Sequence, residues 1–76
     1  MATYNGHKNW NHWNVSLWIN NDEGLYALAK RLKRTTPTVE RAAERFVGHM
    51  ISHDVTKTPD GAPYTKTSVC AAMRDL

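Results

Sequence analysis

The chain has 76 residues, a formal net charge of +3 and one cysteine. A domain of this length buries only about 60% of the surface that its unfolded chain exposes, so a deep substrate cleft is not expected. The single cysteine excludes an intrachain disulfide, and no apolar run is long enough for a membrane span or a signal-peptide core. These features predict one small domain in the cytoplasm.

The first helix is predicted to follow a short arm. Residues 1–8 contain Gly6 and no apolar period, so we expect a mobile N-terminal arm there. Asn9 is a suitable N-cap, because its side chain accepts a backbone N–H bond. The apolar residues that follow at helical spacing are Trp10, Trp13, Leu17 and Trp18. We expect this face to enter the core, with Trp18 at its edge as the exposed tryptophan.

A second helix is predicted after a short interruption. Residues 20–22 end the first helix, because short Asn and Asp side chains favour turns and caps. Asp22 is expected to cap the second helix, and Glu23 places negative charge in its first turn. The apolar stripe of this helix is Leu25, Leu28, Ala29 and Leu32. Tyr26 projects away from that stripe.

A third helix is predicted to begin after a Thr-Pro pair. Thr36 can act as the N-cap, with Pro37 at the first helical position. Gly48 lies inside this helix, where it either weakens the helix by about 1 kcal/mol or lets another helix approach closely. The apolar stripe is Val39, Ala42, Ala43, Phe46 and Met50.

The remaining chain is predicted to form a turn and a last helix. Two prolines and an Asp-Gly pair favour a loop over residues 55–66, with a small hairpin as the alternative. Thr67 or Ser68 is expected to cap the last helix, whose shared face is Val69, Ala72, Met73 and Leu76. The predicted fold class is all-α, a compact domain of three to four short helices over residues 9–76.

No metal site is predicted. His49 and His53 stand four residues apart, a spacing at which two imidazoles can reach one metal ion. Zinc requires three or four protein ligands, and neither His12 nor Cys70 has a spacing that predicts its convergence on the pair. We therefore interpret the two histidines as a partly buried pair at the end of the third helix.

No catalytic residue is predicted either. Cys70 lies beside alanines in a short helix, an ordinary position for a small half-buried side chain. Glu40 and Glu44 are one turn apart beside Arg41 and Arg45, a pattern typical of a solvated helix face. The chain is therefore predicted to be a binding protein without a cofactor, and not an enzyme.

The main electrostatic feature is a cluster of cations in residues 30–45. It consists of Lys30, Arg31, Lys33, Arg34, Arg41 and Arg45. Such a cluster binds phosphate or an acidic protein surface, unless it is merely a solvated helix face, and its attraction weakens as salt rises. An exposed aromatic side chain, Trp18 or Tyr26, would complete the predicted partner-binding site.

Residues 28–42 also resemble a helix-turn-helix of the repressor type. Leu32 and Val39 stand seven apart, as the hydrophobic anchors of that motif do, and residues 38–41 would open the recognition helix. The match is imperfect, because Lys33 stands where the turn favours glycine and Arg34 where it favours an apolar residue. A buried arginine would be costly there. DNA binding is the alternative to protein binding.

Two segments carry a family resemblance. The first reads Asn-Trp at positions 9–10, Trp-Asn-Val at 13–15, Leu-Trp-Ile at 17–19 and Asn-Asp-Glu-Gly-Leu-Tyr at 21–26; the second is Thr-Pro-Asp-Gly at 58–61. Together they resemble small uncharacterised proteins of bacteriophages and prophages. The resemblance implies an accessory protein in the cytoplasm of an infected bacterial host. Inhibitors of bacterial defence systems, including anti-CRISPR proteins, are one class of such proteins.

This setting gives the functional hypothesis. The chain is expected to inhibit a host machine by stoichiometric binding to a host protein or ribonucleoprotein complex. It is expected to act as a monomer or a homodimer and not to associate with a membrane. Its cations could meet protein, RNA or DNA.

Overall fold

The computed structural model describes residues 9–76 as four helices. Helix α1 spans Trp10–Asn21, α2 Glu23–Thr35, α3 Val39–Ser52 and α4 Lys66–Arg74. Residues 9–76 contain no strand, and one antiparallel bridge between Lys57 and Pro63 closes the loop from α3 to α4. The predicted all-α fold and the predicted loop are confirmed, and hairpin pairing is limited to that bridge. The predicted arm at residues 1–8 lies outside the described residues.

One hydrophobic core lies between the four helices. Helix α4 packs mainly against α1 and α3, whereas α2 packs on α1 and α3 and hardly contacts α4. The largest fully buried apolar side chains are Phe46, Ile19, Met73, Val15 and Val69. The predicted stripes of α2, α3 and α4 all face this core, some of their members being only half-buried.

The buried face of α1 is not the predicted one. Val15 and Ile19 are fully buried, while Trp10 is 37% exposed and Trp13 and Trp18 are half-buried. The prediction of a tryptophan core was wrong. Helix α1 carries apolar residues on two opposite faces, and the spacing alone does not show which face is buried. Val15 and Ile19 lie in one core cluster with Val69 and Met73 of α4. Trp10, and not Trp18, is the most exposed tryptophan.

Two of the four predicted helix caps are confirmed. The side chain of Asn9 accepts a hydrogen bond from the backbone N–H of His12 at 3.0 Å. The side chain of Asp22 likewise accepts from the N–H of Leu25 at 3.0 Å. Both caps were predictable because Asn and Asp side chains, which favour N-cap positions, stand directly before each helix.

The other two caps were predicted at the wrong residues. Helix α3 is capped by Thr38 and not by Thr36, whose hydroxyl is buried. Helix α4 is capped by Thr65, and Ser68 completes a capping box at its third position. Several hydroxyl residues adjoin each boundary, so packing of the connecting turn, which local sequence does not encode, selects the cap.

Gly48 has no close neighbour. A Cβ built on it would meet nothing within 4 Å, so close helix approach does not explain this glycine. We expect Gly48→Ala to raise the free energy of unfolding by about 1 kcal/mol, because alanine loses less backbone entropy in a helix. The melting temperature should rise by about 4–8 °C for a domain of this size, as followed by circular dichroism.

Gly61 provides the matched control for that substitution. Its φ of +96° lies in the left-handed region, so Gly61→Ala should be destabilising although nothing lies within 4 Å of a built Cβ. If Gly48→Ala also lowered the melting temperature, the α3 surface around Gly48 would not be open.

Candidate functional site

The outer face of α2 combines an aromatic ring with cations. Tyr26 is 38% exposed, as predicted from its position off the leucine stripe. The Lys30 ammonium lies 5.2 Å from the centroid of the Tyr26 ring, which is a cation–π contact. The Lys33 ammonium donates a hydrogen bond to the backbone oxygen of Leu76 at 2.6 Å. The first contact places Lys30 beside an exposed ring, and the second holds Lys33 at the last residue of the sequence.

Three cations of α2 surround a shallow cavity. Lys30, Lys33 and Arg34 line it together with Leu76, and its volume is about 200 Å³. No Asp or Glu side chain lines this cavity, and Lys30 and Arg34 form no ion pair with any of residues 9–76. Because the Leu76 oxygen engages Lys33, the positive charge that the cavity offers to an anion comes from Lys30 and Arg34. It is suited to an anion.

The other predicted cations lie elsewhere. Arg31 lines a separate groove of about 490 Å³ between α2 and α3, with His49 and Met50 on its other wall. Arg41 and Arg45 are exposed on α3 and form no ion pair with any described residue. The structure therefore brings three of the six predicted cations into one cavity and places the others on adjoining surfaces.

The glutamates of α3 form ion pairs with cations of α4. Glu44 pairs with Lys66 of α4 at 2.9 Å, and Glu40 pairs with Arg74 of α4 at 3.2 Å. The Lys66 hydrogen bond lowers the pKa of Glu44. All four partners are exposed, so each pair contributes little to stability. The predicted solvated face is confirmed, because Glu40, Glu44, Arg41 and Arg45 are all exposed, and the two arginines form no ion pair among residues 9–76.

Trp18 belongs to a different cluster. Its indole N–H donates to the Asp60 Oδ2 atom at 2.9 Å, and the Asn14 amide donates to the same oxygen at 2.9 Å. The Thr58 hydroxyl donates to the Asn14 Oδ1 atom at 2.5 Å. These amide and indole donors lower the pKa of Asp60. Of the two aromatic anchors predicted, only Tyr26 adjoins the cations.

The histidine pair is exposed and not partly buried as predicted. The rings of His49 and His53 lie 4.7 Å apart between centroids. Within the described part of the chain, no group of three or more His, Cys, Asp or Glu residues is placed to hold a metal ion. Cys70 is more buried than predicted, at 6% exposure. None of the helices described is both long and apolar enough to cross a membrane.

A protein-family model matches the chain over residues 1–76. The chain belongs to DUF7249, a family of unknown function. No curated protein and no solved structure matches it.

Two segments singled out in the sequence, residues 9–26 and 58–61, meet in this DUF7249 chain. Asn14 and Trp18 belong to the first segment, Thr58 and Asp60 to the second, and three hydrogen bonds join them. These residues hold the loop between α3 and α4 against α1. Sequence reasoning missed the contact, although a polar Asn14 among apolar neighbours and a distant Asp-Gly turn were its visible signs. It also missed the position of Leu76 beside Lys33.

Proposed function

We propose that this DUF7249 chain is a non-catalytic binding protein that inhibits a host machine. The exposed cations of α2 and α3 carry the proposal, because both glutamates of α3 form their ion pairs with α4. The resemblance to phage proteins supports the setting, which is the cytoplasm of an infected bacterium. The proposed targets are bacterial defence systems, and the chain acts in the manner of an anti-CRISPR protein.

Stoichiometric occlusion is the proposed mechanism. A basic surface attracts a complementary acidic one over about one Debye length, roughly 8–10 Å at physiological salt. The target surface is therefore rich in carboxylates or carries bound nucleic acid. Inhibition by an acidic DNA-mimicking surface does not fit this chain, whose net charge is +3. A bound domain of this size would block the docking of a substrate or a subunit.

Charge reversal tests the proposal. The double variant Lys30→Glu with Arg34→Glu should bind its target at least about tenfold more weakly, because two attractions become repulsions. Both side chains are exposed, so the domain should keep its fold by circular dichroism. Target capture is measured by pull-down from bacteria with active defence systems, with and without nuclease. Inhibition is measured as the plating efficiency of a phage that those systems restrict.

Lys57→Glu is the control, because Lys57 is also exposed but lies on the loop between α3 and α4. Equal recovery of the target by the wild type and the α2 double variant would remove the basic surface from the proposal.

The helix-turn-helix alternative has less structural support. Helix α2 continues through Thr35, so Lys33 and Arg34 are helical and do not lie at the expected turn. Arg34 is exposed, and the predicted cost of burying it does not arise. Glu40, near the start of the supposed recognition helix, is paired with Arg74. If DNA is read here, Arg41→Ala should weaken binding to duplex DNA, and absence of duplex binding at low salt excludes this alternative.

A further inference from the structure

The cavity lined by Lys30, Lys33 and Arg34 differs from the rest of the basic surface, because an exposed aromatic ring adjoins it. We infer that Tyr26 and these three cations form a binding site for single-stranded nucleic acid. One backbone phosphate lies in the cavity, and one unpaired base stacks on the exposed part of the Tyr26 ring. The inference rests on the proposed function, since it names the nucleic-acid component of the host target as the partner.

The cavity has the features of a phosphate site. Its three cations stand at positions i, i+3 and i+4 of α2, so they share one face of the helix. The Lys33 ammonium is already held at the cavity by the Leu76 oxygen, which reduces the side-chain entropy lost on binding. Arg34 supplies a planar fork that can donate two parallel hydrogen bonds to one phosphate. Repulsion from carboxylate side chains is absent from the cavity lining.

Tyr26 distinguishes a single strand from other polyanions. It lies one turn before Lys30 on α2, and its ring is 38% exposed. A nucleobase can stack on the Tyr26 ring only when the face of the base is free. Bases have a free face in single strands but not in the interior of a duplex. An acidic protein surface would use the three cations without needing the ring. The combination therefore favours single-stranded RNA or DNA.

The test measures fluorescence anisotropy of labelled ten-nucleotide oligomers, dT10 and U10, with the full chain at about 50 mM salt. A 20-base-pair duplex and polyglutamate are the comparison polyanions. We expect the oligomers to bind more tightly than either. Tyr26→Leu should weaken oligomer binding about tenfold, whereas Tyr26→Phe, which keeps the ring, should bind within about twofold of wild type. Lys57→Ala is the charge control and should have little effect.

Salt dependence tests the phosphate contact separately. Each of Lys30→Ala and Arg34→Ala should reduce the slope of log K against log salt by about 0.7, and Tyr26→Leu should leave the slope unchanged. Inorganic phosphate, added as a competitor, should displace the oligomers only at far higher concentration. Displacement at equal phosphate concentration would show a simple phosphate site and overturn the inference.

Either of two further results would overturn the inference. The first is that the oligomers fail to bind at low salt, and the second is that Tyr26→Leu and Tyr26→Phe weaken oligomer binding equally. If oligomers fail to bind while charge reversal still abolishes capture of a nuclease-treated host complex, the proposed function stands without this site. If the oligomers bind as expected but the chain does not raise the plating efficiency of a restricted phage, the nucleic-acid site stands and the proposed inhibition fails.

Discussion

Replacement of Asn14 by aspartate is expected to remove a large part of the domain's stability at neutral pH. Asn14 is only 1% exposed, and its amide donates to the Asp60 carboxylate at 2.9 Å. The substitution removes that donor and places a second carboxylate against the first. A buried charge without a partner costs about 3–5 kcal/mol. The whole domain is stabilised by about 4–11 kcal/mol at the usual 0.05–0.15 kcal/mol per residue, so the loss is a large part of the total.

The pH dependence of this variant has a definite sign. Burial and the charge of Asp60 raise the pKa of the new carboxyl in the folded state above its unfolded value of about 3.9. Below about pH 3.9 the group is protonated in both states, so its charge costs nothing there. The destabilisation then grows as pH rises toward the folded pKa. Urea unfolding of the wild type and the variant across this range measures the effect.

A swap of the two groups is the matched control. When Asn14→Asp is combined with Asp60→Asn, the new carboxylate can accept from the Thr58 hydroxyl and from the new amide. Asp60 Oδ2 accepts both bonds in the wild type, so the new amide has to turn its nitrogen toward residue 14 and its oxygen toward the Trp18 indole; only the bond between residues 14 and 60 then changes direction. We expect the double variant to recover at least half of the lost stability. A double variant as unstable as the single one would contradict a direct contact between these residues.

Phe46→Ala is expected to cost about 3–5 kcal/mol. Phe46 is the largest of the fully buried side chains, and its ring lies 6.0 Å from the Tyr64 ring at a tilt of 56°. Truncation leaves a cavity between α3 and the segment that leads into α4, and it removes the aromatic pair. Urea unfolding gives the loss of free energy, and near-ultraviolet circular dichroism follows the Tyr64 environment.

Ile51→Ala is the control for this truncation. Ile51 lies on the same helix but is 55% exposed, so we expect a loss of less than about 1 kcal/mol. Similar losses for the two variants would mean that α3 buries a different face.

Much of the fold could be predicted from local sequence. The stripes of α2 and α3 repeat every three to four residues, so their buried faces were predictable from spacing alone. Asn9 and Asp22 have side chains that favour N-cap positions and stand directly before their helices, and both caps form. The surface position of the cations and of Tyr26 follows from the same spacing.

The buried face of α1 depended on the tertiary structure. Its spacing allowed two apolar faces, and packing against α4 chose the one with Val15 and Ile19. Asn14 is nevertheless buried, because the distant Thr58 and Asp60 satisfy its amide. No local pattern shows that such partners exist, and without them a buried amide would be costly.

The sequence predicted some features of the candidate site and not others. The charge and the surface position of the α2 cations could be predicted, because both follow from residue type and helical position. Helical spacing places Lys30, Lys33 and Arg34 on one face, but the cavity there also needs Leu76, whose backbone oxygen accepts from Lys33, 43 residues away along the chain. The engagement of Glu40 by Arg74, 34 residues away, likewise set which charges remain unpaired. Helical spacing is a local property, whereas desolvation, pairing of charges and the filling of cavities depend on residues that only folding brings together.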